Sequence, residues 1–265
     1  MDKKITLQGF CYDEKSSYRK GAALAPALIR KAYHSDSANY FAENGMEIRP
    51  ELWDDKGDFY INDYFEIEKI TTSNLSLVTP LITLGGDHSI SYPVVSAFSA
   101  LHGPVTILHL DAHADLYHEF EGDPYSHACP FARIMQNKLA TRLVQLGIRT
   151  LSKHQQEQAA AYGVQIIPMN EFDINQLPRF ETPIYLSLDI DCLDPAFAPG
   201  VSHHEPGGFT TRELLRILQN INTPIIGADI VEYNPTRDHN EMTAMVCAKL
   251  LKEIAAKMLA NNHWH

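Results

Sequence analysis

The sequence predicts an α/β protein: a parallel β-sheet with helices packed on both of its faces. Short apolar runs alternate with helix-forming stretches along the 265 residues, the pattern of successive strand–helix–strand units. The runs at 80–84 and 224–232 are apolar almost throughout, as buried strands are. Three runs also close on acids and histidines, and the carboxyl ends of parallel strands are where such folds collect ligands.

Ile5-Thr6-Leu7 reads as the first strand, and Gly21 to Tyr33, rich in Ala, Leu and Ile, as a helix with Pro26 near its start. Residues 44–65, polar and aromatic with Pro50 and Gly57, read as surface connections around a short strand. Pro80 to Leu84 is a strand stopped by Gly85-Gly86, and Ser91 to His102 a helix broken by Gly103-Pro104. The strand from Val105 opens at Asp111 into a loop without periodicity that runs to His127. Phe131 to Lys138 reads as a helix, Leu143 to Ile148 as a strand, Lys153 to Tyr162 as a helix and Val164 to Ile167 as a strand. Ile184 to Asp189 follows as a strand, then a rigid loop with Pro195, Pro199 and Pro206-Gly207-Gly208. Thr210 and Glu213 form a capping box for a helix reaching Ile221. Pro224 to Glu232 is a last buried strand, and Met242 to Leu259 a long amphipathic helix. No repeat, low-complexity tract or linker interrupts 1–265, so a single domain is expected.

With 22 basic and 33 acidic residues, the formal charge is −11. The absence of a basic block argues against nucleic acid or an anionic membrane as partner and favours cationic ligands. No apolar stretch approaches the roughly 20 residues of a membrane helix. Four scattered cysteines (Cys11, Cys129, Cys192, Cys247) show no zinc or redox spacing. With neither a signal nor a transit pattern at Met1, a cytosolic location is expected.

Asp111, His113 and Asp115 stand at alternate positions, and alternate residues of an extended chain point the same way. Asp189 and Asp191 repeat the arrangement, and His88 closes a third run. Four aspartates and two histidines, with no thiolate, are enough to hold two metal ions that share carboxylates. Such an oxygen-rich set suits manganese and its neighbours better than structural zinc. Paired ions roughly 3.5–4 Å apart lower the pKa of a shared water from about 15.7 towards 7. A lone Asp after a strand is more often a turn residue or helix cap; three clusters in one chain are harder to read that way. Asp87 faces away from His88 in extended chain and is expected as a turn or supporting group. His109, inside a strand, reads as a satisfied core histidine. His118, His203 and His204 belong to loops, with His203 the best placed to line a site, and no role falls to His263 or His265.

At these residues the chain resembles the ureohydrolase family of arginases and agmatinases. The carriers are Gly85-Gly86-Asp87-His88-Ser89, Asp111-Ala112-His113-Ala114-Asp115, Ser187 to Pro195, Ala198-Pro199-Gly200 and Ala228 to Pro235. The likeness is strongest to plant-type arginases, through Phe120-Glu121-Gly122, Tyr125 to Ala128, Phe131 to Met135, Asp194 to His203 and Met242 to Val246. The resemblance implies a three-layer α/β/α fold, two Mn2+ replaceable by Ni2+ or Co2+, and a homo-oligomer, trimer or hexamer. It implies that His88, Asp111, Asp115 and Asp189 hold one ion and His113, Asp111, Asp189 and Asp191 the other. His127 matches the family's proton shuttle and Glu232 the acid that pairs with the guanidinium. Asp115 can also orient the nucleophile.

The implied reaction releases urea and an amine from a guanidino compound, and arginine is favoured over agmatine, guanidinobutyrate, guanidine or formimidoylglutamate. For the α-carboxylate of arginine, Ser126, Tyr117 and loop amides supply donors; Glu119, Glu121 and Asp123 supply acceptors for its amino group. The asparagine- and serine-bearing loop of animal arginases is absent, as is their aspartate after Gly-x-Arg, where this chain reads Gly147-Ile148-Arg149-Thr150-Leu151-Ser152. Two other classes compete. A non-catalytic guanidine-binding protein is disfavoured by the complete set of ligands, shuttle and clamp. A deacetylase of related fold uses one zinc and paired histidine bases, unlike this carboxylate-rich set.

Overall fold

Residues 4–260 are described by the computed structural model; His263 and His265 lie outside them. Eight strands, β1 (Ile5–Cys11), β2 (Trp53–Tyr60), β3 (Leu81–Leu84), β4 (Val105–Leu110), β5 (Ala140–Ile148), β6 (Gln165–Pro168), β7 (Ile184–Asp189) and β8 (Ile225–Val231), make one sheet. Its order is β2-β1-β3-β8-β7-β4-β5-β6, and every pairing is parallel. The helices are α1 (Ala25–Tyr33), α2 (Glu66–Asn74), α3 (Ser91–His102), α4 (Pro130–Gln136), α5 (Lys153–Tyr162), α6 (Thr211–Asn220) and α7 (Met242–Ala260).

Because side chains alternate across a strand, an unbroken apolar run feeds two cores at once. Leu108 and Leu110 of β4 join Leu186, Leu188, Ala228 and Ile230 beneath α1, α6 and α7. Val105 and Ile107 point the other way, with Tyr185, Phe98 and Ile134 beneath α3 and α4. Helices therefore lie on both faces, as the sequence predicts, in three layers. Among the described residues no helix is long and apolar enough to cross a membrane.

Three elements depart from expectation. Residues 44–65 contain β2, an eight-residue strand at the sheet edge rather than a short one. Helix α2 was not anticipated: only Ile67 and Thr71 of its nine residues are buried, too little to leave a 3.6-residue period. Helix α7 is less amphipathic than its sequence suggests. It is buried on most sides, Lys252 and Glu253 included, because the Lys252 ammonium donates to Asn39 O and Glu253 accepts from Glu43 N–H and Lys249.

The four central strands, β3, β8, β7 and β4, end at one edge, and each is followed by residues singled out above. Gly85-Gly86 lets the turn after β3 press against the segment following β1. A Cβ on Gly86 would stand 1.8 Å from Tyr12 O, the carbonyl that accepts Asp87 N–H at 3.0 Å. Gly86→Ala is therefore expected to cost about 1–3 kcal/mol through forced backbone movement, read as a lower midpoint in denaturant unfolding.

Candidate metal centre and active-site cavity

His88 begins a one-turn 3₁₀ helix after β3 and is fully buried. Its Nε2 lies 3.0 Å from Ser187 Oγ, whose hydroxyl donates to Asp229 Oδ1 at 2.7 Å. With that proton committed, Ser187 accepts from Nε2–H, which leaves a lone pair on Nδ1. Asp229 is fixed in turn by Ser91 and Tyr185. Nδ1 of His88 lies 3.2, 3.0 and 3.1 Å from Asp111, Asp115 and Asp189, yet has no hydrogen-bond partner of sound geometry. A buried lone pair facing three carboxylates is what a cation would satisfy.

The second group is built beside it. His113 Nδ1 lies 3.0 Å from Asp191 Oδ2 and 3.5 Å from Asp111 Oδ1. Backbone N–H groups orient the carboxylates: His113 N–H donates to Asp111, Asp191 N–H to Asp189 and Ala112 N–H to Asp191. All six residues expected as ligands thus converge. Burial, with Asp191 and Asp111 close by, pushes the Asp189 carboxyl well above its usual range. Burial works against charge on His88, but Asp111, Asp115 and Asp189 outweigh it and raise its proton affinity well above the usual imidazole value. The site demands positive charge, and the donor set fits divalent metal ions.

His109 is buried and satisfied, as expected, but it also serves this cluster. Gln145 Nε2, which donates to Ala114 O as well, donates to His109 Nδ1; the remaining ring proton therefore points from Nε2 at Asp111 Oδ2, 2.8 Å away. His109 orients a carboxylate and has no lone pair to offer a metal.

Alongside lies a cavity of about 320 Å³, lined on one side by His113, Asp115, Asp189 and Asp191. His127 and Glu232 line it too, with His127 Nδ1 2.8 Å from Glu232 Oε1. The same oxygen accepts His88 N–H at 2.9 Å, while Oε2 has no hydrogen bond among the described residues. Glu232 and Asp115 both hold left-handed backbones (φ 63° and 49°), uncommon for side chains of their kind. Burial opposes the imidazolium of His127, but Glu232 prevails and raises its pKa to about 9.

Of the residues expected at the substrate end, Tyr117 lines the cavity, and so does His203, its ring 5.3 Å from that of His127. Ser126 is buried and is not among the lining residues. Glu119 and Glu121 are exposed, and Asp123 pairs with Lys15. His118 contacts Arg133, and His204 reaches Pro199 O. Asp87 caps the turn at Ser89 and also holds Lys15 N–H and Ser16 Oγ. Seven lining residues are not among the expected site residues: Ser17, Phe120, Ala128, Thr150, Leu151, Ser152 and Gln155. The last four follow β5, whose carboxyl end opens on the same edge, a signal available in the strand pattern. Ser17 left none.

The Arginase family model matches residues 3–256. A chain from Arabidopsis thaliana, arginase 2, chloroplastic/mitochondrial, is 46% identical over 95% of this chain and 80% of its own length. The solved arginase from Medicago truncatula superposes with a TM-score of 0.89 at 44% identity, covering 97% of this chain and 88% of that one. An agmatinase from Bacillus anthracis is 31% identical over 96% of this chain and 91% of its length. The cytosolic expectation is overturned by these plant relatives, which are named as mitochondrial or chloroplastic proteins. Scattered cysteines without zinc or redox spacing do not identify the compartment in which a chain resides. In the sheet, in its cluster of buried carboxylates and histidines and in sequence along nearly all of its length, the chain belongs to the arginase family of ureohydrolases.

Proposed function

We propose that this chain is an arginase that hydrolyses arginine to ornithine and urea, with two Mn2+ held by the buried cluster. The observation that carries the chemistry is the juxtaposition, in one cavity, of that cluster with the His127–Glu232 pair. Arginine is favoured because the plant relatives named arginase reach 46% identity, against 31% for an agmatinase.

His88, Asp111, Asp115 and Asp189 would hold one ion, and His113, Asp111, Asp189 and Asp191 the other. A pair of ions bound there would supply the acidification that makes water a nucleophile at neutral pH, lowering its pKa towards about 7. Manganese suits this mixture of carboxylate and imidazole, and nickel or cobalt can replace it. Glu232 Oε2, free of other partners, takes the planar guanidinium through charge-assisted hydrogen bonds. Asp115 accepts a hydrogen bond that orients the attack on the guanidino carbon. As the C–N bond breaks, His127 gives its proton to the leaving amine. Residues 1–265 act as one domain, assembled as a trimer or hexamer in the manner of the family.

Agmatine is the second reading, favoured by one observation: among the described residues, no Lys or Arg lines the cavity to meet an α-carboxylate. Urea release from arginine, agmatine, guanidinobutyrate, guanidine and formimidoylglutamate, each with manganese and with nickel, separates the cases. Arginine is expected to give urea and ornithine fastest; urea from no guanidine would end the reading, and formimidoylglutamate would give formamide instead.

Asp189→Ala is expected to lose both metal and activity, whereas Ser187→Ala, which frees the His88 ring, should weaken metal binding about 10–100-fold; both are read by metal analysis. His127→Asn should keep its metal and lose about 10²–10⁴-fold in kcat. Because Glu232 raises the proton affinity of His127, the protonated donor persists up to about pH 9. The rate is expected to fall as pH rises through that value, and Glu232→Gln should move the fall to lower pH while raising KM.

A further inference from the structure

The segment between β1 and α1 reaches the cavity through Ser17, a lining residue remote in sequence from every other part of the site. Its hydroxyl lies 2.8 Å from His127 Nε2, and its backbone N–H donates to the same nitrogen at 3.2 Å. Several ties put it there. Asp87 Oδ2 accepts Lys15 N–H at 3.0 Å and Ser16 Oγ–H at 3.3 Å. Lys15 Nζ pairs with Asp123 at 2.6 Å, and Lys15 O accepts His127 N–H at 3.2 Å. The strap is thus fastened both to the turn that carries His88 and to the loop that carries His127.

The hydroxyl serves both protonation states of the ring, and the backbone N–H serves the neutral one. In neutral His127 the Ser17 N–H requires a lone pair at Nε2, so the ring proton sits on Nδ1, facing Glu232 Oε1. In the imidazolium, Nε2–H finds an acceptor in Ser17 Oγ. A serine hydroxyl turns to accept as readily as to donate, so it follows the ring between the states while the N–H contact is given up on protonation.

We propose that Ser17 is a positioning residue for His127, fixing the tautomer and orientation in which the ring protonates the leaving amine. The assignment rests on His127 being the proton donor. Glu232, Asp87, Asp115 and His203 also face the ring. They remain in place when the hydroxyl is removed, whereas the acceptor lost with it favours the charged ring alone.

The test is steady-state kinetics of Ser17→Ala and Ser17→Thr in the full-length, manganese-loaded enzyme, with metal content and pH profile. Ser17→Ala is expected to lower kcat about tenfold, the scale of one charge-assisted hydrogen bond. KM and metal content should hold, and the alkaline fall in kcat should move to lower pH. Ser17→Thr, which keeps the hydroxyl, should restore both rate and profile. An alanine variant with unchanged kcat and profile overturns the proposal, as does a loss that threonine does not recover or that accompanies loss of metal. A parent enzyme that releases no urea overturns the arginase reading itself, a result distinct from an active parent indifferent to Ser17.

Discussion

The structure depends on concentrating four carboxylates in a place almost closed to water. Asp111, Asp115, Asp189 and Asp191 are each at most 7% exposed, and like charges so buried repel one another and lose hydration together. Several devices keep them together. Backbone N–H groups at the strand ends take one oxygen each from three of them. His109 and Gln145 hold Asp111 from behind, and Asp229 through Ser187 turns the lone pair of His88 inward. What these devices leave unsatisfied is positive charge, and that deficit is the property the enzyme uses.

The parts of this plan legible in the sequence were those with a short period. An apolar run followed by acids and histidine at alternate positions identifies a strand and its ligands; Asp111, His113 and Asp189 follow that rule, whereas Asp115 takes a left-handed backbone and Asp191 sits in a 3₁₀ turn. His88 was found by its place at the end of a run, although a 3₁₀ turn rather than extended chain delivers it. The supporting residues were not legible as such. Asp87 and His109 look like a turn residue and a core residue, and they are those things while also serving the site. Ser17 meets His127 across 110 positions of chain, a separation no local pattern records. The second ring of contacts is a property of the assembled sheet rather than of any window of sequence.

Electrostatics also divides the cavity. One part of its lining is acidic, with Asp115, Asp189, Asp191 and Glu232, whereas Tyr117, Thr150, Ser152 and Gln155 bring hydroxyls and amides beside Phe120, Ala128 and Leu151. The acidic side is the one that attracts positive charge, while the rest of the lining offers hydrogen-bonding and apolar groups.

The strand order has a consequence for how the molecule is made. β8 is the last strand in the chain, yet it lies at the middle of the sheet, between β3 and β7. While the protein is being synthesised, β2-β1-β3 and β7-β4-β5-β6 can each assemble, but no strand pairing joins them into one sheet until the ribosome has released residues 225–231. His88 belongs to the first group and Asp111, Asp115 and Asp189 to the second, so the sheet sets the histidine against its carboxylates when that gap is filled. Such long-range closure slows folding, and it leaves a nascent or truncated chain without the pocket that captures metal.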